Sequence, residues 1–258
     1  MLNFLVRKDM AVSIFQGWKA RAGVALLGAL ALVACAAPPA EQAARTPAAL
    51  VAAESLVSVQ SQGVSVGAAV AVDERRLLTN AHVLRQAGGE VRLRRADGSE
   101  ADYARVIAVS PRMDLAVLEV PEGFVRPALP ASRAAQPGEP VWALGPEGLG
   151  RALAAGQVLR PRVEMRGFGP GFTAGLGALM GFSGGPVVDG GGRLLGLTTA
   201  LPDAGTATVL ATATGVDLAG FAQGDRRQVF VLSIQAALAE AERLGALRPT
   251  ARIEPQGD

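Results

Sequence analysis

Three short segments hold the residues able to do chemistry. Leu77-Leu78-Thr79-Asn80-Ala81-His82-Val83-Leu84 ends a strand-forming run in a polar turn and presents the only histidine of the chain. Met113-Asp114-Leu115-Ala116-Val117-Leu118 opens an apolar strand with an aspartate. Gly181-Phe182-Ser183-Gly184-Gly185-Pro186-Val187-Val188 sets a serine among glycines, ahead of another strand. Each alone has a plain structural reading: a surface or core histidine, a turn aspartate starting a strand, a glycine-rich turn. Together they meet a chemical requirement. A serine hydroxyl is a weak nucleophile at its own pKa and needs a base. Imidazole suits that task near neutral pH. A carboxylate then fixes the ring's tautomer and stabilises the imidazolium. Glycines around the serine let the backbone turn sharply, so that two N–H groups can face one oxyanion.

These segments need a scaffold of strands. Short runs rich in Val, Leu and Thr recur from Ser55 onward, separated by Gly, Pro and Asp. They predict strands at Leu56–Gln60, Val64–Val72, Arg76–Thr79, Glu90–Arg94, Asp102–Ser110 and Leu115–Val120. Further strands are expected at Pro140–Leu144, Ala152–Arg160, Pro186–Val188, Arg193–Thr199, Thr208–Thr214 and Val229–Ser233. This spacing predicts an all-β barrel or sandwich, and the 32 glycines and 16 prolines suit its many turns. One helix, Ile234–Leu244, closes the chain, with Ile234, Ala237, Leu238 and Leu244 at helical spacing.

The order TNAHV, DLAVLEV and GFSGGPVV, with 32 and 69 residues between the histidine, aspartate and serine, resembles the trypsin-like serine proteases. Among these it is closest to the bacterial HtrA/Deg type. VWALGPEG (141–148), AGQVL (155–159) and RLLGLTT (193–199) resemble the family's neighbouring strands, so the likeness spans roughly residues 55–240. It implies an all-β, chymotrypsin-like fold of two six-stranded antiparallel β-barrels with a C-terminal α-helix. His82 would be the general base and then the acid. Asp114 would orient it, and Ser183 would form the acyl-enzyme. The N–H groups of Gly181 and Ser183 would make the oxyanion hole. Thr199, Ala200 and Leu201 would be the edge that pairs with a substrate strand. Gly177, six residues before the serine, would lie at the base of the primary pocket. No acidic residue stands there, so a small or medium apolar side chain is expected at the cleavage site, not Arg or Lys.

The chain departs from that pattern in several places. Phe182 replaces the Asn or Asp that usually precedes the serine. The residues after the terminal helix leave no room for a PDZ domain, so the HtrA/Deg regulatory module is not expected, and without an IVGG-like segment zymogen activation by a new N-terminus is not expected either. Residues 201–227 form a Gly/Ala/Thr-rich insertion leaving from the expected substrate edge.

The N-terminal region reads as an address. Arg7, Lys8, Lys19 and Arg21 precede a twelve-residue apolar run, Gly23–Ala34, which is short for a membrane span. Leu32-Val33-Ala34-Cys35 resembles the lipobox of bacterial lipoproteins, which implies cleavage before Cys35 and lipidation of this single cysteine. Ordinary signal cleavage near Ala34–Ala37 is the alternative, and Met10 is a second candidate start. Ala36 in place of Asp favours the outer membrane. The expected organisation is a signal peptide at 1–34, an Ala/Pro-rich tether at 35–52, a protease domain at 53–247 and a disordered tail at 248–258.

Composition narrows the function classes. The chain of 258 residues carries 25 basic and 23 acidic residues, but both lysines and two arginines lie in the leader. From Cys35 onward 21 arginines face 22 acidic residues, so no basic stripe supports nucleic-acid binding. One cysteine forbids an internal disulfide, and no residue cluster implies a metal or organic cofactor. The leading expectation is a lipid-anchored, periplasmic serine endopeptidase acting on unfolded or extended polypeptides. Its partners would be those substrates and the membrane, with homo-oligomers such as the family's trimers an open alternative. A non-catalytic peptide- or partner-binding module on the same fold is the runner-up, and a structural envelope lipoprotein is third.

Overall fold

The computed structural model describes residues 46–88, 91–146, 153–177, 181–199 and 228–247, which lie within one unit spanning 44–258. Its first element is a helix where the sequence predicts the end of a tether. Thr46 caps α1 (Pro47–Glu54): its hydroxyl accepts from the Ala49 N–H at 3.2 Å. Pro47 occupies the start of the helix, where its missing N–H costs nothing. Ala48 is buried in a small cluster with Leu56, Ala68, Leu144 and Val188. Residues 47–52 therefore belong to the folded body and not to a tether.

The first half of the domain is a six-stranded antiparallel sheet. Its strands are β1 (Leu56–Ser61), β2 (Val64–Ala71), β3 (Arg76–Thr79), β4 (Arg92–Arg94), β5 (Arg105–Val109) and β6 (Ala116–Glu119). The spatial order is β4-β1-β2-β3-β6-β5. β1 and β2 meet through a two-residue turn in which Gln62 and Gly63 both have positive φ, 51° and 79°, the geometry that matches strand twist. Val57, Val59, Leu77, Leu93 and Leu118 fill the core of this half. Two barrels are expected; here the sheet ends at β4 and β5, which do not pair with each other.

The second half does close. β7 (Pro140–Leu144), β8 (Leu153–Met165), β9 (Gly169–Leu176), β10 (Pro186–Val188), β11 (Leu194–Thr199) and β12 (Gln228–Ser233) form a barrel in the order β10-β11-β12-β9-β8-β7. Val141, Phe172, Leu176, Phe182, Val187 and Val231 pack inside it. The sequence reading misses β9, because Gly-Pro-Gly-Phe-Thr-Ala-Gly-Leu looks like turn material. The glycines there permit close packing. A Cβ on Gly171 would fall 2.7 Å from the Phe230 ring and collide with the Val231 carbonyl. β8 also runs past its expected end at Arg160, with Pro161 tolerated at a register shift between Arg160 and Val163. The expected strand Thr208–Thr214 lies outside the described residues.

A further apolar cluster joins the two halves. Leu78, Leu115 and Val117 of the first meet Leu194, Leu197, Phe230 and Leu232 of the second. The terminal helix follows β12 directly; α3 (Ile234–Arg243) adds Ile234, Ala237 and Ala241 to that cluster. Several buried aliphatics of this kind stabilise by a few kcal/mol together, at about 25 cal/mol per Å² of apolar area. No described helix is long and apolar enough to cross a membrane.

Candidate functional site

His82 does not sit in a bare turn. It lies in the first turn of a short helix, α2 (Ala81–Ala87), which β3 feeds directly. Asn80 occupies the cap position, yet its side chain makes no cap hydrogen bond. Instead its amide donates to the Asp114 carbonyl at 2.9 Å and to the Thr199 hydroxyl at 3.2 Å. Asn80 thus ties the histidine segment to the aspartate and to β11 of the second barrel.

Asp114 engages His82 twice. Oδ1 accepts from the His82 backbone N–H at 2.9 Å, and Oδ2 stands 2.6 Å from Nδ1. With Asp114 ionised, Nδ1 of the neutral ring must carry the proton, which leaves Nε2 as the basic nitrogen. Asp114 is buried, while the His82 side chain keeps 22% of its surface exposed. The acid is shielded from water and the base remains accessible. A short bond in a low-dielectric setting is stronger than the same contact in water.

Ser183 lies at the junction of the two halves. Its carbonyl accepts from the Ala68 N–H of β2 at 2.8 Å. The Ala68 carbonyl in turn accepts from the Thr79 hydroxyl at 2.6 Å, three residues before His82. Gly184 donates to Thr198 and Thr198 donates to Gly185, each at 2.8 Å, so β11 holds the serine loop from the other side. Gly185 closes the turn by donating to the Phe182 carbonyl at 2.9 Å. Gly184 has φ +81°, and a Cβ on it would collide with the Ala68 carbonyl and the Thr79 hydroxyl. Gly67 is a second tight point. A Cβ there would lie 2.5 Å from Val83 and 3.1 Å from the Ser183 carbonyl, so the helix of His82 and the loop of Ser183 both crowd one glycine.

The other expected residues divide. Gly181 opens the serine loop with φ +93°, a conformation suited to glycine. Gly177 follows β9, is exposed, and a Cβ on it would meet nothing within 4 Å. Thr199 is buried and pairs with Phe230 of β12. The pairing of β10 with β11 stops at Pro186 and Leu197, so no described strand runs along the far side of Thr199. Ala200, Leu201 and Cys35 lie outside the described residues.

Sequence reasoning misses three residues here. Asn80 stands inside the quoted TNAHV segment, but nothing in its position announces a bond to a strand more than a hundred residues away. Gly67 stands in the middle of strand β2, a usual sign of a close backbone approach. Phe182 looks like an oddity in the serine loop. In the structure it is fully buried in the second barrel, and a Cβ on Gly145 would lie 2.6 Å from its ring.

The sequence and the fold are similar to those of known proteins. A sequence profile of the trypsin-like peptidase domain matches residues 67–197, half of the chain, and spans His82, Asp114 and Ser183. The serine protease Rv3671c of Mycobacterium tuberculosis H37Rv is 30% identical over 173 residues, as is its counterpart MT3772 in strain CDC 1551. The match covers 60% of this chain and 43% of theirs, so the chain spans less than half the length of these curated relatives. The crystal structure of the active form of Rv3671c protease superposes with a TM-score of 0.60 at 23% identity, over 83% of this chain and 91% of that one. A serine endoprotease of Yersinia pestis superposes with a TM-score of 0.58 at 22% identity, over 77% and 65%. These two likenesses concern the fold: two antiparallel six-stranded halves and a terminal helix. Profile, order of motifs and fold agree, and the chain belongs to the trypsin-like peptidase family of serine proteases.

Proposed function

We propose that this protein is a lipid-anchored serine endopeptidase of the bacterial cell envelope, cutting extended polypeptides with His82, Asp114 and Ser183. The observation that carries the reading is the double bond of Asp114 to His82, 2.6 Å to Nδ1 and 2.9 Å to the backbone N–H. A carboxylate that serves only to start a strand has no need to hold both. The arrangement leaves Nε2 free to take a proton.

In the proposed cycle, His82 Nε2 accepts the Ser183 hydroxyl proton as the oxygen attacks the scissile carbonyl. The N–H groups of Gly181 and Ser183 donate to the oxyanion that develops. His82 then gives its proton to the leaving amine, whose departure completes the acyl-enzyme. Water, deprotonated by the same nitrogen, attacks the acyl carbon; its bond to the Ser183 oxygen breaks, the oxygen takes the proton back from His82, and the acid product leaves. Among the described residues no strand pairs along the far side of β11 at Thr199, which supports extended backbone as substrate, because a peptide strand could complete the sheet there. A Cβ on Gly177 would meet nothing within 4 Å, and the position carries no acidic side chain, which supports a small or medium apolar residue at the cleavage site.

A peptide library tests the reading. The purified domain should cut after Val, Ala or Leu faster than after Arg, and Ser183→Ala should abolish cutting while keeping the circular dichroism spectrum. A preference for Arg would overturn the pocket assignment. Equal silence of both proteins would move the choice to the binding module. The anchor has its own test. Cys35→Ser should shift the protein from the membrane fraction to the soluble fraction of a bacterial host. Equal membrane association of the two forms would reject lipidation at Cys35.

A further inference from the structure

We propose that Glu240 of the terminal helix, acting through Ser110, is a positioning residue for Asp114. The inference rests on the catalytic reading of Asp114 given above. Asp114 stands in the loop joining β5 to β6, and that loop is built around one hydroxyl. Ser110 Oγ accepts from the N–H groups of Arg112 and Met113, each at 3.1 Å, and donates to Glu240 Oε1 at 2.6 Å. The Ser110 N–H closes the same loop by donating to the Leu115 carbonyl at 2.9 Å. A hydroxyl has one proton and two lone pairs. Giving the proton to Glu240 turns both lone pairs toward the loop. Removing that acceptor would free the hydroxyl to rotate, and the two N–H bonds that shape residues 112–114 would loosen.

Glu240 is an unusual anchor, only 2% exposed on a helix face otherwise made of Ile234, Ala237 and Ala241. A buried carboxylate is costly unless its oxygens are filled. Here they are filled from two elements. Arg243, on α3 itself, donates through Nε at 2.7 Å and through its terminal nitrogen at 2.8 Å. Arg112, on the Asp114 loop, pairs with Oε2. Arg243 first, then Arg112 and the Ser110 hydroxyl, hold the carboxyl far below the usual range against the opposing effect of burial. It therefore stays ionised wherever the enzyme would work.

The placement matters because the clamp crosses the molecule. Ser110 and Arg112 belong to the first half and Glu240 to the end of the second. The same loop is gripped again where Met113 packs on Gly169, at the start of β9. Asp114 is thus set relative to the half that carries Ser183, as well as to His82. A displacement of about 1 Å at a reacting group can cost roughly a hundredfold in rate, which gives such a clamp a kinetic consequence.

The test uses the full chain and a fluorophosphonate probe. Ser110→Ala keeps the two arginine partners of Glu240, and Glu240→Gln keeps its shape. Both should lower the second-order labelling rate about 10- to 100-fold. Both should also shift or broaden the low-field proton resonance of the His82–Asp114 hydrogen bond. Ser110→Thr retains a hydroxyl and should restore both readouts. A rate that falls only with the folded fraction, with the resonance unmoved, would show a structural role alone and overturn the inference. Labelled wild type with unaffected variants would do the same. An unlabelled wild-type chain would bring down the catalytic reading, and this inference with it.

Discussion

Asp114→Asn is expected to leave the domain folded and to lower kcat about ten-thousand-fold. The argument comes from the two bonds of the carboxylate. Oδ1 accepts from the His82 backbone N–H and Oδ2 from Nδ1. An asparagine has one acceptor oxygen and one donor nitrogen. The backbone N–H can only donate, so the oxygen turns to it. The amide nitrogen then faces Nδ1 and donates, which obliges Nδ1 to carry a lone pair. The ring's proton moves to Nε2, the nitrogen that should accept from Ser183. The base is present, correctly placed and in the wrong tautomer. Size and backbone contacts barely change, because Asn80 still donates to the carbonyl of residue 114. Steady-state turnover of a cleavable peptide, beside thermal unfolding, checks both halves of the expectation. A loss under tenfold would mean that Asp114 does not set the tautomer.

The contrast between this aspartate and the residues that support it explains what a sequence can reveal. His82, Asp114 and Ser183 each sit in a short segment whose neighbours define the local backbone: a strand end, a strand start, a glycine-framed turn. Such segments can be read without knowing the fold. The short strands flanking them are equally local, and eleven of the twelve expected strands appear at or near their predicted positions, β11 and β12 among them. The supporting residues act across the chain. Glu240 reaches Ser110 from 130 positions away, and Asn80 reaches Thr199 from 119. No periodicity or composition encodes such a meeting; it exists only after the two halves have docked. β9 is hidden for a different reason. Its Gly171 is there for the ring of Phe230 and the Val231 carbonyl, and a propensity argument reads such glycines as breaks.

Phe182 belongs with these hidden supports, and it carries the largest expected effect on stability. Read along the chain, it is a departure from a serine-protease loop. In the fold its ring has no exposed surface and lies on Gly145, among Val141, Ala143, Leu176 and Val187. It fastens the residue before the nucleophile to the interior of the second barrel. Phe182→Asn, which makes the loop look more ordinary, should therefore destabilise the protein. The substitution leaves a cavity where a large ring stood and places an amide among aliphatic neighbours that offer it no partner. Emptying a site of this kind costs about 3–5 kcal/mol, a large share of the roughly 5–15 kcal/mol that holds a domain together. Phe182→Leu keeps much of the apolar volume and should cost markedly less. Urea unfolding followed by circular dichroism measures both, with the slope against denaturant expected to stay constant while the midpoint falls. Peptide turnover measured well below that midpoint gives the functional half. Because Ser183 follows directly on the anchored residue, the remaining folded Asn variant should also turn over slowly. A midpoint equal to wild type would mean that the ring does not hold the loop, and that the residue before the nucleophile is free to vary.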